Sequence, residues 1–186
     1  LGRVVDGAAD LPLQVPLGLI DDPARQRQDP WLLDLTRGGG HVAVIGAPQS
    51  GKSTVLRSLA ASLALTHTPR QVSIYGMDLT GGALRRIEGF PHVGGVATRG
   101  DRDTLTRLLE ELLAMLALRE RVFQSEGIDS LASLRERHAA GELPQLPSAD
   151  VVLLIVGLGG VRGEFEELDA PIVELLQRAG SFGIHV

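Results

Sequence analysis

Apolar positions along the chain follow two patterns. Residues 41–45 (His41, Val42, Ala43, Val44, Ile45), 71–78 and 150–156 form short runs rich in β-branched residues. Such near-continuous runs suit strands covered on both faces, as in a parallel sheet. Other apolar residues recur with the helical period of three to four. Val55, Leu56, Leu59, Ala60 and Leu63 mark a helix over 52–65. Leu105, Leu108, Leu109, Leu112, Leu113, Leu116 and Val122 mark a longer one over 101–125. Asp101 stands as its N-cap, with Thr104 in the first turn. A shorter helix is predicted around 129–139, a brief one over 81–90 and an extended piece over 92–97. A further helix opens on Glu164, Glu166 and Glu167, continues through Ile172, Val173, Leu175 and Leu176, and closes near Gly180. Residues 184–186 begin another strand. Strands alternating with helices predict an α/β fold with a mainly parallel central sheet flanked by helices.

The first 35 residues have a different texture. Residues 11–20 read as an edge strand, because Pro12 and Pro16 cannot complete a central ladder. Residues 21–23 are turn-like, 31–35 form another short strand, and Gly38, Gly39 and Gly40 make a loop. The expected organisation is a leader of strands over 1–35 packed on a domain over 36–186. The chain starts without Met and stops inside an apolar segment. It therefore reads as a piece of a larger protein, with the sheet incomplete at its C-terminal end.

Between the first buried run and the first long helix stand Gly46, Ala47, Pro48, Gln49, Ser50, Gly51, Lys52, Ser53 and Thr54. They match G-x-x-x-x-G-K-[ST] in the strand-to-helix context that the phosphate-binding loop requires. Each part has a physical task. Gly46 and Gly51 let the backbone curl so that several N–H groups point into one concavity. The helix N-terminus adds favourable potential for an anion. Lys52 is expected to reach the β- and γ-phosphates of ATP, and the Ser53 hydroxyl to ligate Mg²⁺. Thr54, one residue deeper, is expected to touch the α-phosphate. The fold is therefore expected to be a P-loop NTPase.

Composition changes this picture little but trims alternatives. The 186 residues carry 18 Lys and Arg against 23 Asp and Glu, a net charge of −5, which argues against a duplex-DNA surface. Aromatic residues are 3%, too few for a single-strand stacking platform. Cysteine is absent, which excludes disulfides and thiolate metal sites. No apolar run approaches the ~20 residues needed to cross a bilayer. Lys52 is the sole lysine, and it sits where the motif requires one.

Hydrolysis needs more than a phosphate cradle: a metal-holding carboxylate on a neighbouring strand and a group that orients water. The strand ending at Ile155 and Val156 runs into Gly157, Leu158, Gly159 and Gly160 with no carboxylate at its tip. Asp150 lies at the other end of that strand, about 20 Å away if extended. Asp78, ending another strand, is the candidate catalytic carboxylate, though turn or cap use is the commoner role of such an Asp. Glu164 is a further candidate metal holder, and Glu164, Glu166 and Glu167 also suit a helix N-terminus. His41, His67, His92, His138 and His185 show no ligand spacing and read as surface or loop residues.

Several stretches carry a resemblance. Residues 42–54, the Leu-Thr-His-Thr-Pro stretch at 65–69, the Phe-Pro-His-Val-Gly-Gly-Val stretch at 90–96 and residues 127–130 resemble EccC-type ATPase domains. These are the FtsK/SpoIIIE-family motors of type VII (ESX) secretion. Residues 26–30 and 163–168 add to the likeness, which spans about 13–186 and is greatest to the second ATPase domain. It implies ATP and Mg²⁺ as ligands and neighbouring ATPase domains of the same chain as partners. It also implies a hexameric ring, WXG100-type secretion substrates and a place at the cytoplasmic face of the membrane, tethered by segments outside this chain. Family members place an Asp where Val156 stands, and DNA-translocating relatives follow it with a catalytic Glu where Gly157 stands. The implied activity is nucleotide binding with weak or absent hydrolysis. The alternatives are an active ATPase completed in trans by a ring neighbour, and a docking module with Trp31, Phe90 and Phe123 as candidate lining residues. A DNA translocase ranks below these, on charge and on the missing carboxylates.

Overall fold

A computed structural model of the chain describes residues 13–186. Leu11 and Pro12 of the expected first strand lie outside these residues. Strands β1 (Gln14–Asp22) and β2 (Arg27–Asp34) form an antiparallel hairpin. Its strands run further than the prolines suggested: β1 continues through Asp21 and Asp22, and β2 begins at Arg27 rather than at Trp31. Pro16 sits beside a register shift between Pro16 and Gly18, where a missing N–H costs no ladder bond. Leu13, Val15 and Leu35 at the hairpin base are buried against α1 (Lys52–Thr66).

The central sheet consists of β3 (Val72–Asp78), β4 (Val93–Thr98), β5 (Asp150–Val156) and β6 (Ile184–His185). All pairs are parallel, in the order β4-β3-β5-β6. The period of two along a strand sends alternate residues to opposite faces. Val151 and Leu153 face α2 (Arg102–Glu126) and α5 (Glu166–Arg178), where they meet Leu105, Leu109, Leu112, Leu168, Ile172 and Leu175. Val152, Leu154 and Val156 face α1 and the hairpin base, where they meet Leu59, Leu63, Leu84 and Val15. Both faces are covered, which is why the 150–156 run is apolar throughout. A smaller cluster of Val122, Ile128, Leu134, Leu143 and Leu146 packs the end of α2 against α3 (Leu131–Ala139).

Asp101 caps α2 by accepting the Thr104 N–H at 3.0 Å, as its position predicts. The helix expected from Glu164 onward is broken. A single turn, α4 (Val161–Glu164), ends at Phe165, whose backbone leaves the helical region before α5 starts at Glu166. Phe165 is buried in the α2–α5 cluster, and the Arg102 guanidinium lies 4.8 Å from its ring centre. Burying that ring fixes the break.

The largest departure concerns residues 41–45. They form no strand, and Ile45 is 94% exposed. The run lies beside β6, which contributes two residues to the ladder. Val42 N–H donates to the Val186 carbonyl at 2.8 Å, and residues 43–47 join no ladder among the described residues. An apolar run becomes a buried strand only where a partner offers paired backbone groups.

Candidate nucleotide-binding site

The phosphate-loop motif joins this free segment to α1. The backbone turns through positive φ at Gln49 (+60°) and at Gly51 (+93°), which precedes the first helical residue. Gly51 adopts that region without penalty, whereas Gln49 carries the cost of a side chain held there. Ser50 N–H donates to Ala47 at 3.2 Å, and Thr54 N–H to Gly51 at 2.9 Å. The Lys52 ammonium folds back over the loop, donating to the carbonyls of Gly46 at 2.8 Å and Ala47 at 2.7 Å. Gln49, Ser50, Gly51, Lys52, Ser53 and Thr54 line one open depression of about 240 Å³. The motif residues are thus brought together, exposed to solvent, at the N-terminus of a 15-residue helix. Backbone donors, a helix N-terminus and one lysine ammonium suit a polyphosphate. Ser53 stands half-buried at the second helical position.

The other candidates are placed differently. Asp78 ends β3 and is 0% exposed. One oxygen accepts from Thr80 N–H, Thr80 Oγ1 and Gly81 N–H at 3.0–3.1 Å, the other from Leu84 N–H at 3.0 Å. Burial pushes its carboxyl up, but these four donors outweigh that and hold it below the usual range. It braces the turn after β3. Glu164 and Glu167 are paired with Arg99 (2.7 Å) and Arg102 (2.9 Å), tying α4 and α5 to the start of α2.

At the tip of β5, Val156 is 8% exposed and packs into the α1-side core. Gly157 has φ +88°, and a Cβ there would lie 2.6 Å from the Thr80 methyl. Neither position presents a carboxylate, and the second has no room for a side chain. Trp31, Phe90 and Phe123 do not converge. Trp31 is half-exposed on the hairpin and Phe90 packs on the α1-side core. Phe123 stands edge-on to Phe182 at 5.0 Å.

The histidines are expected at the surface or in loops. His67 and His92 lie in loops but are buried, and His138 on α3 and His185 on β6 are buried within regular elements. His92 Nε2 lies 2.8 Å from the His67 carbonyl and His138 Nε2 lies 2.9 Å from that of Leu146, so local backbone acceptors make burial affordable. Sequence reasoning also missed the group around Asp150: His185 meets it where β5 and β6 pair, Arg135 reaches it from α3, and Arg119 of α2 donates to the neighbouring Ala149 and Ser148 carbonyls.

Comparison with known proteins identifies the family. The model of the FtsK/SpoIIIE family matches residues 9–186. The chain is 44% identical over 177 residues to ESX-1 secretion system protein EccCb1 of Mycolicibacterium smegmatis, covering 94% of this chain and 30% of that protein. It superposes on the cytoplasmic domain of the Thermomonospora curvata type VII secretion ATPase EccC with a TM-score of 0.88 at 45% identity, covering 94% of this chain and 20% of the other. A second T. curvata structure, EccC ATPases 2 and 3 in complex with a signal sequence peptide, gives 0.87 at 45% identity, with coverage of 94% and 32%. The chain thus spans about a third or less of these relatives. The fold is that of a P-loop ATPase domain, and the chain belongs to the FtsK/SpoIIIE family.

Proposed function

We propose that this chain is the ATP-binding domain of an EccC-like type VII secretion motor, holding ATP and Mg²⁺ at residues 46–54 and turning ATP over slowly or not at all. The observation that carries the reading is the exposed loop of positive-φ turns with Lys52 folded across it at the start of α1. Phosphates would displace the Gly46 and Ala47 carbonyls as partners of Lys52, with Ser53 toward the metal and Thr54 toward the α-phosphate. The low turnover rests on β5: Val156 and Gly157 supply no carboxylate, and Asp78 is engaged by its own turn.

In this reading residues 36–186 carry the nucleotide and the N-terminal hairpin is a leader packed on α1. The domain works beside neighbouring ATPase domains of a longer, membrane-tethered chain at the cytoplasmic face, in a hexameric ring acting on WXG100-type substrates. The multi-domain relatives, and the T. curvata complex with a signal sequence peptide, support that setting.

The test is equilibrium binding of ATP·Mg²⁺ to the full-length protein and to its Lys52→Ala variant. Micromolar binding to the first, lost at least about a hundredfold in the second, is expected from removing a charge-assisted contact to phosphate. Absent binding in both overturns the reading. Turnover near 1 s⁻¹, dependent on this domain's Lys52, overturns the low-turnover half and favours an ATPase completed by its neighbours.

A further inference from the structure

The phosphate loop lies in a part of the sequence that is free of acids. No Asp or Glu stands between Asp34 and Asp78, in a chain that carries 23 of them and a net charge of −5. That stretch holds Arg37, Lys52, Arg57 and Arg70. Arg37 pairs with Asp34 at 3.0 Å, and Arg70 is exposed. Arg57 is different: it lies half-buried on α1, three residues beyond Thr54. Side chains at i and i+3 share a helix face, and long ones lean back toward the helix N-terminus. Accordingly, Arg57 Nη2 donates to Thr54 Oγ1 at 3.1 Å. Thr54 lines the depression at the phosphate loop, so the guanidinium stands one hydroxyl away from that space.

The partners of Arg57 set it apart from the other described arginines that are half-buried or buried. Arg135 engages both oxygens of Asp150, and Arg137 engages Glu126 and Glu142. Arg119 donates to the carbonyls of Ser148, Ala149 and Phe182. Arg57 forms no ion pair among the described residues, and of its five N–H donors one goes to a neutral hydroxyl. A cation partly withdrawn from water is favourable there only once an anion completes it. The hydroxyl is oriented too. Thr54 Oγ1 accepts from Arg57, which leaves its own hydrogen free to donate. A charged donor and a neutral one thus stand together, while Lys52 is turned to the carbonyls of Gly46 and Ala47.

We propose that Arg57 is a further nucleotide-binding residue: the second cation of the site, closing its α-phosphate end with the Thr54 hydroxyl beside it. The proposal rests on the nucleotide reading above and deepens it. A guanidinium presents a fixed charge in a planar fork suited to phosphate oxygens. The contact is also specific about which ligands share it. ATP and ADP both carry an α-phosphate, so Arg57 holds both alike, whereas a contact at the γ-phosphate would favour ATP alone. Because the pair is close to solvent, its contribution weakens as salt rises.

The test is equilibrium binding of ATP·Mg²⁺ and of ADP·Mg²⁺ to the full-length protein, read as the part of the signal that Lys52→Ala abolishes. Arg57→Ala is expected to raise both Kd values by about tenfold, as for one lost charge-assisted hydrogen bond. The wild-type Kd should also climb more steeply with salt than that of the variant. Arg57→Lys keeps the charge and should recover part of the loss. Arg57→Gln keeps a donor for Thr54 without the charge and should recover none. Unchanged Kd values in Arg57→Ala overturn the proposal. So does wild-type affinity in Arg57→Gln, which makes the arginine a brace for Thr54 only, and so does a loss confined to ATP, which moves the contact to the γ-phosphate. Each of these leaves the nucleotide reading standing, whereas absence of Lys52-dependent binding in wild type overturns both. Thermal unfolding without nucleotide checks that the variants fold. If Arg57→Ala does not, the comparison of Arg57→Lys with Arg57→Gln decides.

Discussion

Residues 151–156 and residues 42–45 are both apolar runs rich in valine and isoleucine, and they live in opposite surroundings. The first lies between two hydrogen-bonded strands with a helical layer on each face. The second touches the last residues of β6, and Val42, Val44 and Ile45 are exposed. Composition supplies the apolar surface, while paired backbone on both sides decides whether that surface leaves water.

The comparison breaks most severely at the first residue of β5. Asp150→Ala leaves buried His185 and half-buried Arg135 without their shared carboxylate, a loss of about 3 kcal/mol for a broken, largely buried ion pair. Urea unfolding of wild type and variant measures it. Acid reports the same group. Burial pushes the Asp150 carboxyl up, but hydrogen bonds from His185 and Arg135 outweigh this and hold it at about 2. A depressed carboxyl stabilises the fold fully above its unfolded value near ~3.9, and the contribution fades as pH falls from there through about 2. About 2–3 kcal/mol should disappear across that window in wild type, and the Asp150→Ala variant should lack that slope.

Truncating one residue in each run tests the contrast directly. Leu153→Ala, at 1% exposure, should cost about 2–5 kcal/mol through lost burial and the cavity left behind. Ile45→Ala, at 94% exposure, should change unfolding by less than about 0.5 kcal/mol. Equal losses would mean that residues 42–45 are as deeply packed in solution as β5. Gly157→Ala sharpens the picture at the strand tip. A methyl at φ +88° and 2.6 Å from the Thr80 methyl should cost about 1–3 kcal/mol by thermal unfolding.

Much of this was legible beforehand where a signal is local. The 3.6-residue stripe placed α2, the Asp101 cap set its start, and glycine spacing with Lys52 marked the loop at 46–54. What escaped depends on distant neighbours. Residues 41–45 look like a strand because periodicity carries no information about the partner. Phe165 broke the last helix because its ring is buried against α2, a tertiary demand that outweighs local propensity. His185 and Asp150 meet through sheet order, and Arg135 joins them from α3, which no spacing in the chain announces.

The left-handed backbone at Gly157 limits how the strand tip can be redesigned. An acidic side chain placed there would meet Thr80 in a conformation that disfavours any Cβ. A design that installs a carboxylate at this tip must therefore reshape the turn and replace Thr80 together, not exchange one residue.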